Sequence, residues 1–174
     1  MFERQAYDPA TAAGSRILQL LMATDGSTTR LCETVAGGPV QLVLLHQAIT
    51  EGDLPAAVRE QLPGQRFIER LTCLVAHGQV MMDNLSYIAL DGLPDDIRAD
   101  LEGGRLPIGH LLARMWVRRV GLPPSEALQQ RLWAEVGQPD PASTRNYVIT
   151  TPEGPRMLIC ECWRNGMQLT LPTP

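Results

Sequence analysis

Two side chains stand where charge is expensive. Arg70 lies inside the apolar run Arg70–Val75, and Glu161 inside Met157–Trp163. An ion held among apolar neighbours costs several kcal/mol unless something pairs it. Strand alternation places Met157, Ile159, Glu161 and Trp163 on one face, with Leu158, Cys160 and Cys162 on the other. It likewise groups Arg70 with Thr72 and Leu74, opposite Leu71, Cys73 and Val75. Two arrangements satisfy this pattern. In one, Arg70 and Glu161 form a buried ion pair, or both reach solvent at strand edges. In the other they line a cavity on the sheet, where Arg70 fixes a substrate carboxylate and Glu161 holds a hydroxyl or handles a proton. Alternation leaves both open.

Other chemistry-bearing residues narrow the classes. All 15 basic residues are arginine and none is lysine, which excludes lysine Schiff bases and lysine-tethered pyridoxal phosphate. An anion held by a side-chain cation is therefore held by an arginine fork. The four cysteines, Cys32, Cys73, Cys160 and Cys162, are too scattered for a disulfide scaffold, and Cys160-Glu161-Cys162 lacks the second pair of a zinc site. They read as reduced core residues. His46 falls in a strand, His77 in a turn and His110 in a helix, with no ligand spacing among them. No P-loop, dinucleotide fingerprint or nucleophile elbow is present. Gly103-Gly104 followed by Pro107-Ile108-Gly109 either offers free amides to an anion or simply punctuates helices.

The elements that must position Arg70 and Glu161 follow from periodicity. Asp8-Pro9 opens a helix with Ile17, Leu18, Leu20 and Leu21 on its apolar side, ending before Asp25-Gly26. Ser27-Thr28-Thr29 leads to a predicted strand through Leu31 and Val35, turned at Gly37-Gly38. The next strand, Val40 to Ile49, is apolar enough to expect cover on both faces. After a polar turn at 50–53, Leu54–Leu62 reads as a short helix. Two strands then pair around Ala76-His77-Gly78. Further helices start at Pro94, with Asp95 and Asp96 at the positive end, and at Pro107, with Leu111, Leu112, Met115 and Trp116 facing the core. Another follows Pro123-Pro124-Ser125. A hairpin of Tyr147–Thr150 and Met157–Trp163 closes the chain, followed by a polar tail ending in Pro-Thr-Pro.

With 174 residues, 44% hydrophobic, and no internal repeat, the expectation is one α+β domain spanning 1–174 on a single antiparallel sheet of about six strands. A net charge of −4 argues against nucleic acid or an anionic membrane as partner. The absence of a long apolar run or signal-peptide pattern points to a cytoplasmic protein.

Four segments, in order, resemble the chorismate pyruvate-lyases that form 4-hydroxybenzoate: ILQLLMATDGSTTRL (17–31), RLTCLVAHG (70–78), the Leu93-Pro94 and Leu106-Pro107-Ile108-Gly109 pair, and PRMLICECW (155–163). The resemblance implies a sheet with helical flaps enclosing the ligand and a lyase that eliminates pyruvate from chorismate without metal or cofactor. It implies that Arg70 binds the ring carboxylate and Glu161 lies at the hydroxyl end. Thr28 and Ile108 would supply backbone contacts. Where some members of that family place a charge in the strand after the turn, this chain has Leu85, beside Asp83 and Asn84, of which alternation lets only one face Arg70. That departure keeps two alternatives in view: a diverged enzyme acting on another carboxylated ring or polyketide-like acid, and a non-catalytic small-molecule-binding domain.

Overall fold

The computed structural model describes residues 1–52 and 54–168, the side chain of Ala12 excepted; Asp53 in the expected polar turn and the Pro-Thr-Pro tail lie outside them. The chain runs α1 (Ala12–Ala23), α2 (Thr28–Ala36), β1 (Gln41–Thr50), α3 (Ala56–Gln61), β2 (Phe67–Ala76), β3 (Gln79–Ala89), α4 (Asp95–Gly103), α5 (Ile108–Leu112), β4 (Arg118–Leu122), α6 (Glu126–Val136), β5 (Thr144–Thr151) and β6 (Gly154–Trp163). The six strands form one sheet in the order β1-β2-β3-β6-β5-β4, antiparallel throughout. This is the expected α+β class.

Three local expectations are corrected. The segment through Leu31 and Val35 is helix α2 and not a strand. Ser27 caps it by accepting from the Arg30 amide, Gly37 ends it in the left-handed conformation at φ 70°, and Cys32 and Ala36, four apart, turn inward together. The sixth strand is instead β4, whose sequence RRVGL alternates weakly and carries two arginines. β1 is an edge strand and not a doubly covered one, and Leu44 and Ile49 remain 43% and 49% exposed. Trp116, expected in the core, lies past the end of α5 and is 69% exposed.

The β2–β3 turn is tight because His77 and Gly78 both take positive φ, 51° and 77°, the backbone a two-residue hairpin with matching twist requires. That turn, together with a one-residue bulge at Met81, sets the β2–β3 register, and the register composes the face of interest in rows. One row crosses the sheet as Gly121, Tyr147, Ile159, Ser86, Arg70 and Gln47. The next is Arg145, Glu161, Asn84, Thr72 and Leu44, and on the other side lies Arg119, Ile149, Met157, Ile88, Ile68 and Ile49.

The two faces are covered differently. α3 and α6 bury Val58, Leu128, Leu132 and Val136 against Leu71, Leu85, Leu158 and Cys160 on the far face. On the near face, α4 and α5 pack Ile97, Leu101, Leu111 and Leu112 over Ile68, Ile88, Ile149 and Ile159. Beside them Leu21 of α1 and Cys32 of α2 pack over Leu74, Met82 and Trp163. The near face is thus roofed by two helical pairs, which meet where α2 touches α5. Among the described residues no helix is long and apolar enough to cross a membrane.

Candidate functional site

Arg70 is fully buried on the near face. Its Nη2 donates to the carbonyls of Gly104 and Leu106, each at 3.0 Å, in the loop joining α4 to α5. Gly104 occupies the left-handed position that ends α4, at φ 68°, and a cation there also meets the negative end of the helix. The Gly-Gly segment therefore presents carbonyls to a cation, where amides to an anion had been one expectation. Next to Arg70 in its row, Gln47 Nε2 donates to the Leu101 and Glu102 carbonyls at 3.2 and 3.0 Å. Together β1 and β2 hold the end of α4 by side chains. The rest of the guanidinium has nothing: Nε and Nη1 are buried without a partner, and Arg70 forms no ion pair among the described residues. Burial pulls its pKa down from 12.5 to about 10.

Glu161 is equally buried but fully engaged. Arg145, directly opposite on β5, contacts Oε1 through Nε at 2.7 Å and Nη2 at 2.6 Å. Tyr147 donates its hydroxyl to Oε2 at 2.8 Å. Arg145 also reaches the Met22 and Thr24 carbonyls at the end of α1, and its guanidinium lies over the Tyr147 and Trp163 rings at 5.3 and 5.6 Å. Desolvation, reinforced by the Glu161 charge, raises the Tyr147 phenol well above its usual value, so it stays a donor. The structure separates the two charges whose pairing the sequence had left open: Glu161 has its own arginine, and Arg70 has no carboxylate among the described residues. Arg145 carried a signal in the sequence only through the register, which places it across from Glu161.

Between the two roofing pairs lies a cavity walled by Thr72, Leu74, Asn84, Ile159 and Tyr147 from the sheet, by Thr28 and Thr29 of α2, and by Pro107, Ile108 and Gly109. It holds about 30 Å³. Since a buried water needs roughly 10–15 Å³ on this measure, the cavity takes two or three waters, and a ring-sized molecule fits only if a roof moves outward. Arg70 and Glu161 are not in its wall. Arg70 stands in the row of Ile159 and Tyr147, beneath the loop that leads into Pro107, and Glu161 sits behind Tyr147.

The remaining expected residues sort clearly. Thr28 and Ile108 both line the cavity, from the starts of α2 and α5. These helices touch so closely that a Cβ on Gly109 would collide with Thr29 Oγ1, which explains a glycine after Pro107-Ile108. Asn84 faces the cavity, while Asp83 points away and binds Arg164 at 2.6 Å and Arg4 at 3.1 Å. Leu85 corrects an expectation: it belongs to the far-face core and is fully buried there, so a charge missing at this position is not missing from the cavity. Arg119 of β4 was not expected, and it is the charged residue in the cavity wall among the described residues.

All four cysteines are buried and unpaired by disulfides; burial pushes the Cys73 thiol up to about 11 and raises Cys32, Cys160 and Cys162 as well. Among the described residues no group of three or more His, Cys, Asp or Glu side chains is placed to hold a metal ion.

No protein-family model matches the sequence, and neither does any curated protein. Solved structures of similar outline include the ligand-binding domain of a putative GntR-family transcriptional regulator from Bordetella bronchiseptica, at 13% identity and TM-score 0.42, covering 71% of this chain and 84% of that one. The C-terminal domain of the histidine utilization repressor from Pseudomonas syringae aligns at 12% identity and TM-score 0.44, covering 77% and 97%. The possible transcriptional regulator YydK from Bacillus subtilis aligns at 11% identity and TM-score 0.46, covering 96% and 83%. At these values the likeness says nothing of the site.

Proposed function

We propose that this chain binds a small carboxylic acid on the near face of its sheet, under α2, α4 and α5, with Arg70 receiving the carboxylate. The observation that carries the reading is the state of Arg70: a buried guanidinium without a carboxylate, with Nε and Nη1 left unpartnered. Buried donors without acceptors are uncommon and costly, and an arriving carboxylate satisfies one of them, Nε or Nη1, with a charge-assisted bond. The body of the ligand extends from Arg70 past Ile159 towards Tyr147, whose hydroxyl, backed by Glu161, meets a polar substituent at the far end. Thr28 and Ile108 close over it from the helix starts. Because both Glu161 oxygens are already engaged by Arg145 and Tyr147, it orients Tyr147 and does not itself meet the ligand. Binding without turnover is therefore the function this geometry supports best.

A second reading, elimination of pyruvate from chorismate, is favoured by one observation: the cavity wall joins apolar and hydroxylated side chains to Asn84 and Arg119, with no carboxylate among the described residues. That elimination is driven by aromatisation and asks the protein mainly to orient the side chain, exclude water and stabilise shifting charge. One experiment separates the readings. Benzoate, 4-hydroxybenzoate and chorismate are titrated calorimetrically, and chorismate solutions are followed for pyruvate release. Binding of the acids with pyruvate at the spontaneous rate supports the binding domain; pyruvate release lost in Arg70→Gln supports the lyase. No acid binding at millimolar concentration overturns both.

A further inference from the structure

Arg119 lies on β4 in the near-face row of Ile149 and Met157, four strands from Arg70. With neighbouring strands about 4.8 Å apart, the two backbones are about 19 Å from each other before twist shortens the span. Its guanidinium makes one hydrogen bond, Nη1 to the Asp25 carbonyl at 3.2 Å, and no ion pair among the described residues, while Nε is buried without a partner. The same side chain borders three spaces: the inner cavity, a cleft of about 210 Å³ beside Met22 and Gly121, and one of about 380 Å³ beside Ser27, Arg30 and Val117. Among the described residues, neither the inner cavity nor the cleft beside Arg30 has a carboxylate in its wall. Thr28 and Thr29, whose amides begin α2, stand in the inner wall with it, so this end of the cavity is positive on two counts.

We infer that Arg119 is a second anion anchor at the mouth of the cavity, and that the ligand carries two acidic groups, one for Arg70 and one for Arg119. The inference rests on the Arg70 reading but uses different atoms. A cation with a single backbone acceptor and an orphaned Nε is under-satisfied as a structural strut. Its place between outside clefts and interior suits a group that first attracts an acid and then holds its outer end.

The test compares benzoate with 4-(carboxymethyl)benzoate by calorimetry on the wild type and on Arg119→Gln, Arg119→Lys, Arg70→Gln and Arg118→Gln. The wild type is expected to prefer the diacid by about ten-fold or more, the scale of a charge-assisted bond. Arg119→Gln is expected to erase that preference, and Arg119→Lys, which keeps the charge in case the neutral variant fails to fold, to retain part of it. The exposed neighbour Arg118→Gln is expected to keep the whole preference. Survival of the preference in Arg119→Gln, or its equal loss in Arg118→Gln, overturns the inference and leaves the Arg70 reading intact. Conversely, benzoate binding unchanged in Arg70→Gln, with a preference that still depends on Arg119, overturns the Arg70 reading and keeps the second anchor. No binding of either acid by the wild type overturns both.

Discussion

Replacing Arg70 by methionine discriminates a ligand-binding cation from a structural one. Burial lowers the Arg70 pKa from 12.5 to about 10. At 1.36 kcal/mol per unit this is about 3 kcal/mol against the charged form in the folded chain. The folded value lies below the unfolded one, so the unfolded chain binds more protons between about pH 10 and 12.5, and stability rises with pH through that window. At neutral pH the full cost is present. Methionine removes it and fills similar space, but leaves the Gly104 and Leu106 carbonyls without their donor, at about 1–3 kcal/mol each where they stay dry. These terms oppose each other, and unfolding free energy by urea is expected to change by less than about 3 kcal/mol. Removing half of a buried ion pair costs about 3–5 kcal/mol instead. Benzoate affinity is expected to fall by at least ten- to hundred-fold in the same variant. In the wild type it is expected to decline as pH rises past about 10, where an ordinary arginine stays charged. A variant that loses more than 3 kcal/mol yet binds benzoate normally would refute the reasoning and make Arg70 the strut of α4 alone.

Glu161→Gln strands Arg145, whose side chain is only 10% exposed, and is expected to destabilise the fold by about 3 kcal/mol in urea; the Tyr147 phenol should also titrate lower in the ultraviolet once the carboxylate charge is gone. Gly109→Ala drives a methyl into Thr29 and is expected to cost about 1–3 kcal/mol by separating α5 from α2, measured by thermal unfolding. The four buried thiols should resist an aromatic disulfide reagent in the native protein at pH 8 and all react in denaturant, since burial keeps each protonated there.

Strand alternation was enough to group Arg70 with Thr72 and Glu161 with Ile159, because a period of two is a local property of the backbone; that the two groups share one sheet face follows from the pairing. What alternation lacks is the pairing order. Arg145 stands opposite Glu161 only because β5 pairs with β6 in that register, and no local pattern around Arg145 announces it. Leu31 and Val35 suit a strand or a helix equally; the Ser27 cap and the left-handed Gly37 decide for helix, and the Ser-Thr-Thr run was the available sign. β4 escaped because an edge strand with charged, exposed residues lacks the apolar alternation that marks strands, and Arg119 escaped with it.

The attachment of the α4–α5 loop to Arg70 ties occupancy to mobility. Both bonds to the loop use Nη2, and a guanidinium offers a carboxylate a two-pronged edge only as Nε with Nη2 or Nη1 with Nη2. A forked grip on the acid thus takes a hydrogen from the Gly104 or Leu106 carbonyl and loosens the roof as it forms. The exchange is reciprocal: any contact elsewhere that pins the α4–α5 loop to the sheet weakens the acid by the same factor that the acid weakens the pin. Amide exchange at Gly104, His110 and Leu111, whose N–H groups donate to Leu101 and Pro107 at the two ends of that loop, should therefore quicken, not slow, as the site fills.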